Sequence, residues 1–219
     1  MRRLLTAALG GMAVLACGEI NAPIRSGVYE WRLFVPQPGD VVDTLAFAWT
    51  PAQLPVKIWV ADTLDYPARI ARAIGQWEGQ FLYGEFEAEV VSDSNAADVI
   101  VRAEDAPPEG PIISLRLHRR ARECEGATDI AVDIDTRQVR LPMRIYLVPE
   151  IETDAAALDS CLDVTMAHEL GHVLGIFAHS PEATDLMAAD PSAPAPTERD
   201  RATAERAYHW DRTLTVVER

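Results

Sequence analysis

The chain has little positive charge for its length and no long apolar run in its interior. Its 219 residues carry 20 Lys and Arg against 34 Asp and Glu, a formal net charge of −14. A surface with this excess of negative charge repels phosphate backbones, which excludes nucleic acid as an expected partner. No interior stretch of about 20 apolar residues could cross a bilayer as a helix. We therefore expect one soluble domain, since 48% hydrophobic residues suffice for a sizeable core.

The first sixteen residues have the layout of an export signal. Arg2 and Arg3 precede an uncharged, mostly apolar stretch, 4–16, that is too short for a stable membrane span. The sequence Val-Leu-Ala-Cys ending at Cys17 is similar to the bacterial lipobox, in which the cysteine is lipidated and becomes the first mature residue. We predict a lipoprotein signal peptide at 1–16 and a cell-envelope protein, periplasmic or at the outer surface, that touches the membrane only through its lipid. The alternative is an ordinary cleaved signal and a secreted protein.

Cysteine is scarce, with three in the chain. If Cys17 carries lipid, Cys124 and Cys161 remain as an even pair in an exported, oxidising setting. We predict a disulfide between them, and two unpaired thiols are the alternative. Because Cys161 lies shortly before a histidine-rich segment, the bridge would tether that segment to the chain that precedes it.

The order of predicted elements indicates an α+β fold, with an α/β-type mixed sheet covered by helices. Residues 17–53 are interpreted as a tether or accessory segment with one strand-like stretch at 28–35, and residues 54–219 as the main domain. Strands are predicted at 56–60, 86–91, 98–102, 112–118, 130–134 and 143–148, and helices at about 67–82, about 154–174 and from a capping box at Thr197 to about 209.

Two histidines four residues apart flank a glutamate in His168-Glu169-Leu170-Gly171-His172. Residues four apart on a helix are separated by about 40° around its axis, so both imidazoles face one side and can bind one zinc ion. Glu169 is turned aside from the pair and can face a bound water, from which it would take a proton. The alternative is an amphipathic helix with two surface histidines.

The residues that follow extend this motif. The segment from His168 to His179 resembles the matrixin-type metzincin signature H-E-x-x-H-x-x-G-x-x-H, in which a glycine, here Gly175, turns the chain and a third histidine completes the zinc site. His179 comes four residues after Gly175 instead of three, so we expect the extra residue to be absorbed as a bulge. Met187 lies eight residues after His179, similar to the Met-turn methionine that forms an apolar floor beneath the metal in that family.

The resemblance covers roughly residues 54–210 and is specific only at 168–187. It implies a metzincin-like catalytic domain with a twisted five-stranded sheet, a backing helix, an active-site helix and a C-terminal helix. It further implies an endopeptidase with one catalytic Zn²⁺ bound by His168, His172 and His179, and with Glu169 as general base and acid. A peptide or protein substrate would lie along an edge strand, which we place near 112–117.

Other candidate residues have weaker claims. Asp185 is an alternative third zinc ligand, since carboxylates also bind zinc. His118 is typical of a solvated strand end, and His209 of packing at a helix end. Acidic groups at 133–135 and 154–159 can bind Ca²⁺, but solvated acidic faces are commoner. We expect a monomer, and the alternative function is a non-catalytic zinc-containing surface lipoprotein that acts as a binding module.

Overall fold

The computed structural model describes residues 27–37, 39, 41–107, 114–120, 123–150 and 154–217. The predicted signal peptide and the lipidation site at Cys17 lie outside the described residues. No helix within these ranges is long and apolar enough to cross a membrane.

The segment predicted as a tether contributes a small hairpin and part of the core. Strands β1 (Leu33–Gln37) and β2 (Val41–Leu45) form a separate antiparallel two-stranded sheet. After the hairpin, residues 45–49 are almost fully buried and belong to the same core cluster as the main sheet. The strand predicted at 28–35 corresponds to β1, which begins only at Leu33. Tyr29 and Trp31, which precede β1, are buried outside any strand.

A mixed, mostly parallel sheet of seven strands forms the body of the described chain. Its strands are β3 (Val56–Val60), β4 (Ala88–Val90), β5 (Val99–Arg102), β6 (Ser114–Arg120), β7 (Cys124–Asp133), β8 (Gln138–Pro149) and β9 (Thr215–Val216). The order is β4-β3-β5-β8-β7-β6, with β9 paired to β8. The α+β class is compatible with this architecture.

The five-stranded sheet implied by the resemblance was wrong, because the described sheet has seven strands. Strand β9 is two residues long, so it has no alternation that a sequence pattern could register, and it pairs in parallel with the start of β8. Strand β6 pairs antiparallel with β7, which pairs antiparallel with β8, and these two strands extend the parallel part of the sheet.

Three α-helices are described: α1 (Tyr66–Glu78), α2 (Ala155–Val173) and α3 (Glu198–Tyr208). Helix α1 packs against β3, β4 and α2, and α2 packs against β7 and β8. The Trp77 indole of α1 donates to the carbonyl of Ala167 at 2.8 Å, which fixes the two helices side by side. Helix α1 ends four residues before the predicted end at 82, and Gly79 caps it.

Candidate metal centre

Helix α2 begins and ends where its sequence predicts. The Asp154 side chain accepts hydrogen bonds from the amides of Ala156 and Ala157, which caps the first turn. At the other end Gly175 has φ +109°, a left-handed conformation, and a Cβ there would collide with the carbonyl of Phe47. Only glycine fits both requirements, so the chain leaves the helix at this residue.

The extra residue between Gly175 and His179 lies in a loop outside the strands, so the expected bulge stays a prediction. The amides of Phe177 and Ala178 both donate to the carbonyl of Trp31, at 2.7 and 3.2 Å. These two hydrogen bonds hold the loop against the segment that precedes β1. His179 follows directly and lies beside His168 and His172, as expected from the sequence.

The three histidines form a compact cluster. One candidate ligand atom from each of His168, His172 and His179 lies within 4.8 Å of the other two. Among the described residues this is the only group of three or more potential ligands so placed. His168 and His172 are fully buried, and His179 is partly exposed.

Backbone carbonyls set the tautomers of the two helix histidines. His168 Nδ1 lies 2.7 Å from the carbonyl of Leu186, and His172 Nδ1 lies 2.6 Å from the carbonyl of Ile176. A carbonyl can only accept, so both Nδ1 atoms carry the proton and both Nε2 atoms present lone pairs. Those Nε2 atoms are 3.1 Å apart, and His179 Nε2 is buried with no hydrogen-bond partner within the described ranges.

The two helix histidines fit adjacent ligand positions of a tetrahedral metal ion. Two nitrogens each about 2.05 Å from zinc at the tetrahedral angle would be about 3.3 Å apart, close to the observed Nε2 separation. Burial lowers the pKa of His168 to about 3 and lowers the pKa of His172 and of His179. Neutral imidazole is the form that binds a metal, so the residues present are suited to one.

Met187 lies against the helix between the two histidines. It is fully buried, and a Cβ at Gly171 would collide with its sulfur and lie 2.8 Å from Trp77 Cζ2. Glycine at position 171 therefore allows the methionine to reach the helix backbone next to His172. This contact places Met187 against α2, and its role as an apolar floor beneath a metal stays a prediction.

Asp200 supports the turn that contains Met187. Its buried carboxylate accepts from the amides of Leu186 and Met187, at 2.8 and 3.3 Å, and from the Tyr29 hydroxyl at 2.7 Å. The carbonyl of Leu186 in turn orients His168. The sequence predicted Asp200 only as part of the capping box, which also forms, and gave no signal for this second role.

The alternative ligands are used elsewhere. Asp185 accepts hydrogen bonds from Ser180, Thr197 and Arg199 and is not part of the histidine cluster. Asp133 pairs with Arg140, and Asp159 pairs with Arg69. His209 caps α3 with a largely exposed ring 3.4 Å from Glu85, and the side chain of His118 lies outside the described part of the chain.

Glu169 follows His168 in the sequence, is fully buried and faces β7. The Thr128 hydroxyl donates to Glu169 Oε2 at 2.6 Å, whereas Oε1 is buried and has no hydrogen-bond partner in the described part of the chain. Burial raises the pKa of Glu169 to about 8, and the Thr128 hydrogen bond and the charge of Arg119 act in the opposite direction. Sequence reasoning missed Thr128, because nothing in a strand pattern pairs it with a residue 41 positions away.

Arg119 is a second residue that the sequence did not single out. It is 4% exposed, and its guanidinium donates to the Thr165 hydroxyl one turn before Glu169. Its strand, β6, lies at the edge of the described sheet, as predicted for 112–117, but the strand that contacts Glu169 is β7. The edge is therefore one strand further from the site than we expected.

A disulfide joins β7 to α2. Cys124 and Cys161 are bonded, with their Cα atoms 6.0 Å apart. Cys161 precedes His168 by about two helical turns, so the bridge connects the helix that contains the histidine pair to the strand that touches Glu169. The predicted tether of the histidine segment is thus present in the structure.

No protein-family model matches the chain, and no curated protein matches it significantly. Its function is therefore inferred from the geometry of its own residues.

Proposed function

We propose that this protein is a zinc-dependent endopeptidase of the matrixin-like metzincin type, exported to the cell envelope. The observation that carries the proposal is the cluster of His168, His172 and His179, with Glu169 directly after the first of them. Structural zinc sites in proteins are usually closed by four protein ligands, whereas catalytic sites have three and leave one position for water or substrate. Three imidazoles with no fourth candidate ligand among the described residues favour the catalytic type.

Each histidine would contribute one neutral imidazole nitrogen to the ion. For His168 and His172 that nitrogen is Nε2, since Nδ1 donates to a backbone carbonyl. Zinc held there would supply Lewis-acid activation of a water molecule and of the peptide carbonyl. The carbonyls of Leu186 and Ile176 keep the rings oriented and increase their basicity.

Glu169 is the proton carrier in this mechanism. Oε2 is engaged by Thr128, so the unpartnered Oε1 is the oxygen that can take a proton from the attacking water and later pass it to the leaving amine. With a pKa of about 8, the carboxyl is mostly protonated at neutral pH when no metal is bound, since burial outweighs the opposing effects of Thr128 and Arg119. The positive charge of a nearby bound cation favours the carboxylate form that a general base requires.

The substrate class follows from access and charge. His179 is the partly exposed member of the cluster, so a peptide would approach from its side. The net charge of −14 favours faster encounter with cationic peptides. Extended pairing with the edge of the sheet at β6 would align such a peptide through its main chain.

One observation favours a second candidate, a non-catalytic zinc-containing binding module. His168, Glu169 and His172 have no exposed surface, and a catalytic water and a peptide both need access. Under this alternative Glu169 would be a neutral carboxylic acid hydrogen-bonded to Thr128 and would have no catalytic task.

Metal content and peptide cleavage test the two candidates. The purified mature chain should bind about one zinc per molecule and cleave a fluorogenic peptide library in a chelator-sensitive manner. Glu169→Gln should retain zinc while activity falls by at least about 10³-fold, because the general base is lost. His179→Ala should lose zinc, whereas His209→Ala, which changes an exposed histidine outside the cluster, should keep both. Full zinc loading of a wild-type protein that cleaves no peptide would favour the binding module.

A further inference from the structure

Strand β7 and helix α2 touch at three evenly spaced places. Cys124 is bonded to Cys161, Gly126 packs against Thr165, and Thr128 donates to Glu169. We call these the β7–α2 contacts. Along the strand they advance by two residues at a time, and along the helix by four.

The spacing matches because the two rises are nearly equal. Two strand residues advance about 6.7 Å, and four helix residues advance about 6.0 Å. Alternate residues of a strand share one face, and residues four apart on a helix share one side. The disulfide at one end therefore determines which strand residue meets Glu169 at the other end.

Close approach at the middle contact makes the last one possible. A Cβ at Gly126 would collide with the Thr165 methyl group and lie 2.6 Å from Glu169 Oε1. Any side chain there would move the strand away from the helix. The glycine thus allows the Thr128 hydroxyl to reach the carboxylate at 2.6 Å.

We propose that Thr128 is the positioning residue of Glu169, and that the disulfide and Gly126 set the register in which it works. This inference rests on the proposed role of Glu169 as the proton carrier. Thr128 is fully buried, and among the described residues its hydroxyl is the only hydrogen-bond partner of the Glu169 carboxylate. The single hydroxyl proton goes to Oε2, since the next acceptor, the carbonyl of Glu169, is further away at 3.2 Å.

The bond restricts the carboxylate in a way that serves catalysis. A glutamate has three side-chain torsions, and a hydrogen bond to one oxygen removes the freedom to rotate the other away from the reacting water. Thr128 offers no nitrogen or carboxylate and is outside the histidine cluster, so it acts through Glu169 and leaves metal binding to the histidines. Loss of one hydrogen bond to a charged group should lower kcat by roughly 10- to 100-fold.

The test compares three substitutions in the zinc-loaded mature chain. Thr128→Val removes the hydroxyl and keeps the shape, whereas Thr128→Ser keeps the hydroxyl. The control is Thr203→Val in α3, which removes an equally buried hydroxyl that accepts a hydrogen bond from the amide of Tyr29. We expect Thr128→Val to lower kcat about 10- to 100-fold with KM and zinc affinity within about 2-fold of wild type. Thr128→Ser should restore most of kcat, and Thr203→Val should leave it unchanged.

A readout that needs no peptidase activity separates this inference from the proposed function. In the Co²⁺-substituted protein, the visible absorption spectrum follows ionisation of the water near Glu169 as pH changes. Thr128→Val should shift the midpoint of that change in the same direction as Glu169→Gln, and Thr128→Ser should not. A wild type without peptidase activity would refute the proposed function, and the cobalt titration would then decide the role of Thr128 alone.

Two outcomes would overturn the positioning role. One is a Thr128→Val protein with both wild-type kcat and a wild-type cobalt midpoint. The other is a Thr128→Ser protein as impaired as Thr128→Val, because the side-chain shape and not the hydroxyl would then be responsible. If Thr128→Val does not fold, as judged by circular dichroism, Thr128→Ala takes its place with the same expected outcomes.

Discussion

Replacing Gly126 with alanine tests how closely β7 must approach the helix that contains His168 and His172. The added Cβ would collide with the methyl group of Thr165 and lie 2.6 Å from Glu169 Oε1, at a buried position. Strand and helix then have to separate, and overpacking of this kind costs roughly 1–3 kcal/mol. The separation also lengthens the hydrogen bond from Thr128 to Glu169, which is 2.6 Å in the structure.

The chain offers a matched control in α1. A Cβ at Gly75 meets nothing within 4 Å, and this glycine lies exposed in the helix interior. Alanine there should stabilise the protein by about 0.5–1 kcal/mol, since it favours the helix more than glycine does. Both substitutions add one methyl group, so opposite signs of the change separate packing at Gly126 from a general effect of glycine replacement.

Urea unfolding and steady-state kinetics measure the two effects. We expect a lower free energy of unfolding for Gly126→Ala, a higher one for Gly75→Ala, and a kcat at least about 10-fold lower only for Gly126→Ala, with zinc still bound. A Gly126→Ala protein within about 0.5 kcal/mol of wild type and with unchanged kcat would refute the close contact between β7 and α2.

Three further perturbations have defined outcomes. The first is reduction of the disulfide between β7 and α2, which closes a loop with a sequence separation of 37 residues. The free energy of unfolding in urea should fall by about 4 kcal/mol, and a fall below about 1 kcal/mol would contradict this. The second perturbation is a lower pH in zinc-free Glu169→Gln, where folding depresses the pKa values of His168 and His172. Their contribution to the free energy of unfolding is fully present above pH 6.5 and is lost as pH falls, by about 2 kcal/mol per histidine at pH 5. Urea unfolding at pH 7 and 5 checks the sign, and the Gln variant removes the opposite contribution of Glu169, whose pKa is raised. The third is Asp200→Ala, which removes the acceptor of the turn that orients His168. It should lower the free energy of unfolding by roughly 3 kcal/mol and weaken zinc affinity about 10-fold in a competition titration. Unchanged zinc affinity would contradict the second effect.

Local patterns predicted the parts of the structure that depend on neighbouring residues. The Asp154 cap and Gly175 bound α2 in the sequence as they do in the structure. The four-residue spacing of His168 and His172 places both rings on one side of that helix, because helical periodicity alone determines it.

Contacts between distant segments were not predictable in this way. The loop that leads to His179 is held by the carbonyl of Trp31, about 150 residues earlier in the chain. The long strands β7 and β8 were predicted only in part, at 130–134 and 143–148. The first half of β7 faces α2 with small residues such as Gly126 and Thr128, so a search for alternating large apolar residues does not detect it.

Glycine marks the places where another segment comes closest to this helix. At Gly175 the neighbour is the carbonyl of Phe47, at Gly171 it is the sulfur of Met187, and across from the helix Gly126 leaves room for Thr165. Glycine inside a helix or strand is unfavourable by roughly 0.5–1 kcal/mol. At Gly171 and Gly126 a close neighbour accounts for it, whereas at the exposed Gly75 none lies within 4 Å. The sequence predicted a role only for Gly175, at the end of a helix. Hydrophobic patterns indicate which side chains are buried, but not where the absence of a side chain allows another segment to pack closely. Gly171 and Gly126, which allow Met187 and Thr128 to approach α2 and Glu169, can therefore be seen in the sequence. The residues that pack against these glycines are known only when the fold is known.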